Sequence, residues 1–345
     1  MYLNMQINVG HLTEGISGHD GQALGVIKNL VDSGYNINVT TISVGWSNRL
    51  TRGVLKFISR KLSRFPNSIN INLITKCYTF SSFRNIDIFI SSGANLAPLN
   101  LALTKQNNAK NIHLSSKRDW HIQDFTAYIT TKKISPLRNN LSPDIVPNLF
   151  DPAKCMQAGQ TFIKENNLNE DKFSLLILGG NGIGYEYDMN EWEEILRNFS
   201  DFCTNSNTKP LFITSPRTPT EVENIIQSKY DTSFSVLFHS ENKRGSFSHL
   251  LYIASNIFVT EDSSTMLSEA ISSGKRVVSI YPQNINAPEK YSEIIRKYEA
   301  LNFVIRRNIT GICDGPFNEM IDISFEVNQA FVEFNKLLIE LLFDR

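Results

Sequence analysis

The chain has 345 residues, enough at roughly 100–200 residues per domain for two domains. Hydrophobic residues make up 41% and charged residues 20%, a globular composition that excludes a disordered, fibrous or disulfide-scaffold protein. Lysine plus arginine (34) balances aspartate plus glutamate (34), but residues 1–150 carry 16 basic and 7 acidic side chains (net +9), and residues 151–345 carry 18 and 27 (net −9).

A basic half suits a phosphate, an anionic lipid surface or an anionic substrate, unless the two halves merely complement each other. Cys77, Cys155, Cys203 and Cys313 show no C-x-x-C pair and fit free thiols in a reducing compartment. The histidines form no H-x-x-x-H or His/Cys cluster, so no metal site is expected. No apolar run approaches the ~18 residues of a membrane span, and a strand at Gln6–Val9 stands where a signal-peptide layout would be. The expectation is a soluble cytoplasmic protein, free or peripheral on the inner face of the plasma membrane.

In chain order, the first half predicts strands at Ile7–Gly10, Ile37–Val44, Ile69–Ile74, Ile86–Ser91, Asn111–Ser115 and Ala127–Thr130. Helical patterns lie between them at Gly21–Asp32, Trp46–Ser63 and Leu96–Gln106. Residues Leu137–Pro152, with Pro143, Pro147 and Pro152, break the rhythm and read as a linker. Strands then recur at Ser174–Leu178, Leu211–Thr214, Ser235–Phe238, Ile257–Thr260 and Arg276–Ile280. Helices fall at Asn190–Phe202, Thr220–Ser228, Phe247–Ala254, Ser264–Ser273 and Glu289–Glu299, and Phe325–Phe343 carries a helical apolar stripe. Repeated β-α alternation means parallel sheets covered by helices. The expected fold is α/β, with two doubly wound, Rossmann-like domains (1–145 and 146–325) facing a cleft, and a C-terminal helix (326–345) packing back toward the first.

Open α/β sheets bind ligands beyond the carboxyl ends of their strands, so the loops that follow strands hold the candidate chemistry. The first runs from Gly10 to Gln22 and contains Gly15, Gly18 and Gly21. Glu14, His19 and Asp20 stand where a general base is needed; alternatively, Asp20 caps the helix. The loop Gly179-Gly180-Asn181-Gly182-Ile183-Gly184 could offer the amides of Gly180 and Gly182 to a diphosphate, or be a tight turn. It matches neither G-x-G-x-x-G nor a Walker loop. Arg217, in Thr214-Ser215-Pro216-Arg217-Thr218-Pro219, is a candidate phosphate ligand. In Val259–Ala270, Ser263, Ser264 and Thr265 meet a helix start that suits phosphate. Glu269 follows inside that helix, where a carboxylate accepts ribose hydroxyls unless it sits on a solvated face.

This last segment resembles the nucleotide-sugar site of GT-B glycosyltransferases, which implies Ser263, Ser264 and Thr265 at phosphate and Glu269 at ribose. Gly15–His19 is similar to the glycine-rich, histidine-containing loop of the peptidoglycan GlcNAc transferase, which implies that His19 faces the acceptor. Over nearly its full length the chain resembles a bacterial and plant family named after a plant mitochondrial-fission factor. The matching pieces are Thr13-Glu14-Gly15 with Gly18-His19 and Gln22-Ala23-Leu24-Gly25, Leu178-Gly179-Gly180, Thr214–Pro219, and Val259–Ser263 through Glu269-Ala270. That family usually carries Asp where Glu14 stands, a change that keeps the carboxylate. Glu261 and Glu269 also form the E-x7-E spacing of retaining GT-B enzymes, although the family does not usually place an acid at Glu261.

The resemblance implies a metal-independent, hexosyltransferase-like enzyme with no cofactor, the nucleotide-sugar being a substrate. The donor expected is a UDP-sugar, or a CMP-linked acidic sugar of the Kdo type. The expected acceptor is a cell-envelope glycan or glycolipid. The rival readings are a non-catalytic recruitment protein on the same fold and a nucleotide-sugar epimerase; no nucleic-acid partner is expected. Residues 47–65 place Leu50, Val54, Phe57, Ile58, Leu62 and Phe65 at helical spacing among Arg49, Arg52, Lys56, Arg60, Lys61 and Arg64. Such a helix either lies on an anionic membrane or turns its apolar stripe into the core.

Overall fold

Short apolar runs become parallel strands, and the amphipathic stretches between them become the covering helices. The computed structural model describes residues 6–168, 171–241, 247–313 and 322–343. The chain divides into two units, Met1–Leu149 with Gln329–Arg345, and Phe150–Asn328.

Unit 1 contains β1 (Ile7–Thr13), α1 (Ser17–Asp32), β2 (Ile37–Trp46), α2 (Arg52–Leu62), α3 (Ser68–Lys76), β3 (Tyr78–Phe80), β4 (Ile88–Ser92), α4 (Ala97–Gln106), β5 (Lys110–Leu114), β6 (Ala127–Ile129) and β7 (Asn140–Leu141). The sheet order is β3-β2-β1-β4-β5-β6-β7, parallel except for the β2–β3 pair. Unit 2 contains α5 (Pro152–Asn166), β8 (Phe173–Ile177), β9 (Tyr185–Glu186), α6 (Met189–Asn205), β10 (Lys209–Ile213), α7 (Thr220–Lys229), α8 (Phe238–Glu241), α9 (Ser248–Ile253), β11 (Ala254–Thr260), α10 (Ser264–Ser272), β12 (Val277–Tyr281), β13 (Asn284–Ile285), α11 (Glu289–Ala300) and β14 (Val304–Asn308). Its parallel sheet runs β10-β8-β11-β12-β14, beside a small antiparallel β9–β13 ribbon.

In each sheet the first strand in sequence has its successor on one side and a later strand on the other. The chain therefore reverses its winding between β1 and β4 in unit 1 and between β8 and β11 in unit 2. Such switch points open a crevice at the carboxyl edge, where ligands bind.

The last helix, α12 (Ser324–Phe343), leaves unit 2 and ends in unit 1. Phe334, Leu338 and Leu342 enter the core formed by Ile7, Val9, Val26, Leu30, Ile88 and Ile112. Tyr35 and Phe343 stack with centroids 4.5 Å apart. No helix among the described residues is long and apolar enough to cross a membrane, and the four cysteines form no disulfide.

Three local expectations change. Residues 69–74, read as a strand, form α3: Ile71 and Ile74 are buried while Ile69 and Leu73 are exposed, a helical division. Asn67 caps this helix by accepting the Asn70 amide at 2.9 Å. The strand expected at 235–238 reduces to one bridge between Ile213 and Val236. Within the proline-rich stretch 137–152, Asn140–Leu141 adds a seventh strand to the first sheet.

Candidate functional site

At the unit 1 switch point, the turn after β1 is closed by the Gly15 amide donating to Thr13 Oγ1 at 2.8 Å. Ile16 occupies the N-cap of α1 and supplies no side-chain cap. Asp20 is therefore not the cap; it sits in the first helical turn, where the helix dipole favours a carboxylate, 3.4 Å from His11 Nε2. Burial pushes the His11 imidazole below its ordinary pKa, and Asp20 opposes that push.

Glu14 and His19 reach the other side of the switch. Asn95, in the loop after β4, donates to Glu14 Oε2 at 3.1 Å and to Oε1 at 3.3 Å. The His19 ring lies on Gly93: a Cβ there would sit 2.5 Å from His19 Nδ1, so only glycine fits. Behind β4, Asn100 donates to Ser91 Oγ at 2.7 Å, Ser91 bonds His113 Nδ1 at 2.7 Å, and His113 Nε2 bonds Ser115 Oγ at 2.9 Å. Burial drives His113 down to about 3, helped by nearby His19. The imidazole is therefore neutral.

At the unit 2 switch point, the loops after β8, β10 and β11 are bonded together. Thr260 Oγ1 accepts the Gly179 amide at 2.8 Å and donates to Asp262 Oδ1 at 2.8 Å. Asp262 Oδ2 accepts the Gly180 amide at 3.1 Å and an Arg217 Nη2 hydrogen. Ser215 Oγ and Thr218 Oγ1 both donate to the Gly179 carbonyl, at 2.7 and 2.6 Å. A Cβ on Gly179 would meet Asp262, and one on Gly180 would meet the Arg217 carbonyl, each at 2.1 Å.

The glycines therefore serve backbone approach, and this corrects the expectation that Gly180 and Gly182 present free amides. The Gly180 amide is held by Asp262, and the Gly182 amide donates to the Tyr185 carbonyl at 3.1 Å. Among the described residues, the amides of Ile183 and Gly184 have no acceptor. Ile183 is a β-branched residue held at φ +52°, an unusual conformation for its type.

Ser263 caps α10, its Oγ accepting the Met266 amide at 3.4 Å. Ser264 and Thr265 open the helix, whose first amides lack intrahelical acceptors. Glu269 lies one turn beyond Thr265 on the same face. It is half-buried, has no hydrogen-bond or ion-pair partner among the described residues, and burial alone raises its carboxyl pKa to about 7. Glu261 turns elsewhere. Fully buried, it takes Arg306 through Nε at 2.8 Å and Nη2 at 3.0 Å, with Ser279 Oγ donating at 2.9 Å. The Glu261–Glu269 spacing therefore does not make a pair of carboxylates for one ligand.

Sequence reasoning named Arg217, Ser263, Ser264, Thr265 and Glu269, which the structure gathers at one switch point, and Glu14, His19 and Asp20, which it gathers at the other. It missed Asp262, Gly93, Asn95 and His113. Gly93 and Asn95 follow a strand directly, and the switch-point rule applied to β4 would have found them.

Two doubly wound α/β units, each with polar side chains at its switch point, define a two-unit protein of the α/β class. The profile of the family described as Mitochondrial fission ELM1 matches residues 17–331, and the chain belongs to that family. The uncharacterized protein RP120 of Rickettsia prowazekii (strain Madrid E) is 33% identical over 124 residues, which span 34% of this chain and about a third of that protein's length. Among solved structures, the chain is similar to ADP-heptose LPS heptosyltransferase II of E. coli, with a TM-score of 0.45 and 11% identity over 97% of this chain and 99% of that one. It is also similar to UDP-GlcNAc 2-epimerase of Methanocaldococcus jannaschii, with a TM-score of 0.49 and 12% identity over 95% of this chain and 92% of that one.

Proposed function

We propose that the chain is a glycosyltransferase of GT-B type that binds a nucleotide-sugar on unit 2 and its acceptor on unit 1. The observation that carries the reading is Glu269: a half-buried carboxylate without a partner, one turn from the open amides and hydroxyls of the α10 N-terminus. Desolvation without compensation is costly for a carboxylate, and a pair of ribose hydroxyls would supply the missing donors. Ser263, Ser264, Thr265 and the α10 amides would hold the phosphate nearest the nucleoside. Arg217, anchored at one nitrogen on Asp262 and otherwise exposed, would offer its remaining donors to the leaving phosphate. Gly180 and Gly182 shape the loop, and Ile183 and Gly184 present its open amides. The developing phosphate charge is met by helix dipole and guanidinium, so the reading calls for no metal.

On unit 1, Glu14 or His19 would take the acceptor hydroxyl proton, while Asp20 is engaged with His11. We also place this side at an anionic membrane surface, where a lipid-linked envelope glycan would be met. Of the apolar stripe in residues 50–65 only Leu62 packs against the core, beside Leu55, whereas Leu50 (97% exposed), Val54 (59%), Phe57 (62%), Ile58 (39%) and Phe65 (65%) are exposed.

Calorimetric titration of the full chain with UDP, CMP, GDP and ADP tests the donor site. One nucleotide should bind selectively, and Glu269→Ala should abolish that binding while leaving the fold intact. Binding that survives Glu269→Ala overturns the assignment. Free nucleotide and an altered sugar released from a UDP-sugar without acceptor would indicate an epimerase instead.

A further inference from the structure

Between Ser33 and Ile86 the chain has no aspartate or glutamate, yet it carries Arg49, Arg52, Lys56, Arg60, Lys61, Arg64, Lys76 and Arg84. The fold brings part of this charge to the unit 1 switch point. Arg52, Lys56 and Arg60 recur every four residues along α2, which makes them one stripe of like charges. Arg60 Nη2 points to Asn95 Oδ1 at 3.5 Å, and the same Asn95 holds Glu14. Tyr78 OH joins the two elements, donating to the Asn95 carbonyl at 2.7 Å and lying 3.2 Å from Ser59 Oγ. The loop after β5 is tied to α2 by Lys61 and Asp119 at 2.9 Å, which brings Arg118 to the group.

Lys61 is neutralised by Asp119; the others are not. Arg52, Lys56 and Arg118 have no ion-pair partner among the described residues, and Arg60 Nε is buried without an acceptor. Burial lowers the Lys56 pKa, Arg60 and Arg52 lower it further, Glu14 alone opposes them, and Arg118 adds to the lowering. Counting Lys61, five cations thus face two carboxylates, Glu14 and Asp119, at the carboxyl edge of a parallel sheet, an excess of three positive charges. Like charges on one helix face destabilise it, and the buried Arg60 Nε has no acceptor to offset its desolvation.

We propose that Arg52, Lys56, Arg60 and Arg118 form an anion subsite beside Glu14 that takes a phosphoryl group, best a diphosphate. The charge count selects this class: a single carboxylate would leave the cluster strongly positive, whereas a diphosphate nearly neutralises it. Fork-shaped guanidinium donors match phosphate oxygens. Resting on the transferase reading, the phosphoryl group belongs to the acceptor, and holding it here brings the acceptor's hydroxyl to the carboxylate of Glu14.

The test is titration of the full chain with inorganic pyrophosphate at fixed ionic strength, with saturating UDP present to occupy unit 2. The Lys56→Gln/Arg118→Gln variant should bind pyrophosphate about tenfold more weakly or worse, as expected for losing two charge-assisted contacts. Its UDP affinity should be unchanged, and Lys56→Arg/Arg118→Lys should restore pyrophosphate binding. Equal affinity in wild type and the glutamine variant, or pyrophosphate binding abolished by UDP in the wild type, overturns the subsite. A chain that binds pyrophosphate through Lys56 and Arg118 but binds no nucleotide keeps the subsite and loses the transferase reading.

Flotation with vesicles of equal parts phosphatidylcholine and phosphatidylglycerol separates the two sources of phosphate. Wild-type flotation that saturating pyrophosphate leaves unchanged at constant ionic strength supports an acceptor phosphoryl group. Flotation that pyrophosphate abolishes in the wild type assigns the subsite to a lipid headgroup and overturns the acceptor assignment.

Discussion

Arg217, in the loop after β10, is anchored on the fully buried carboxylate of Asp262, in the loop after β11. The same carboxylate receives the Gly180 amide from the loop after β8 and the Thr260 hydroxyl from its own strand. One side chain thus fixes three strand ends. Burial raises the Asp262 pKa, while Arg217, Thr260 and Gly180 all favour the ionised form. Arg217 is consequently held at one nitrogen and left with donors to spare, an arrangement that positions a cation without neutralising its whole fork.

Replacing Asp262 by asparagine keeps the volume and removes the charge. The asparagine oxygen can still accept two hydrogen bonds, but an NH2 replaces the second accepting oxygen and the charge-assisted bond to Arg217 is weakened, so the expected loss of stability is about 1–3 kcal/mol. Urea denaturation of Asp262→Asn measures it. Nucleotide affinity should fall along with stability, because Arg217 loses its anchor. A variant as stable as the wild type would show that the three loops hold together without this carboxylate.

Glu269 gives the protein a definite pH dependence. Its carboxyl rises from an ordinary 4.5 to about 7 on folding. Between these values the folded chain holds a proton that the unfolded chain has released, so stability falls as pH rises through that window. The difference is at most about 3 kcal/mol. Glu269→Gln should therefore gain stability over the wild type at pH above about 7 and show little gain below about 4.5. Thermal melts across the range measure this, and a pH-independent difference would refute the buried, partnerless carboxylate.

Val54 and Phe57 should matter to membranes and not to folding, since both face outward from α2. Val54→Asp/Phe57→Asp should melt like the wild type and fail to float with phosphatidylglycerol vesicles. Wild-type flotation should weaken as salt rises, because basic residues near an anionic surface contribute about 1 kcal/mol each and are screened. Flotation by the double variant would return this face to an ordinary solvated surface.

The α/β class and most parallel strands were legible because buried strands read as short apolar runs between turn residues. Segment 68–76 misled because apolar residues at 69, 71, 73 and 74 satisfy both a two-residue and a helical period; only packing on the core selects the helix. The stripe on α12 was visible, but its buried register is Phe334, Leu338 and Leu342, with Leu337 46% exposed. At the site, hydroxyls and Glu269 at a helix start were readable because that chemistry is local. Asp262 was not, because its partners lie 45 and 82 positions away in sequence. The engagement of the glycine amides was hidden for the same reason: Gly180 looks open until Asp262 is brought beneath it.

Unit 2 is one continuous stretch, Phe150–Asn328, whereas unit 1 closes its core only with Gln329–Arg345. A ribosome therefore delivers every residue of unit 2 before it delivers the helix that completes unit 1. Domains ordinarily fold in the order of synthesis, but here the later unit is the first able to finish. Until then Ile7, Val9, Val26 and Ile88 lack the cover of Phe334, Leu338 and Leu342. Unit 1 is thus the one exposed to chaperones and proteases during biogenesis, and loss of the segment 329–345 would damage the unit that is synthesised before unit 2.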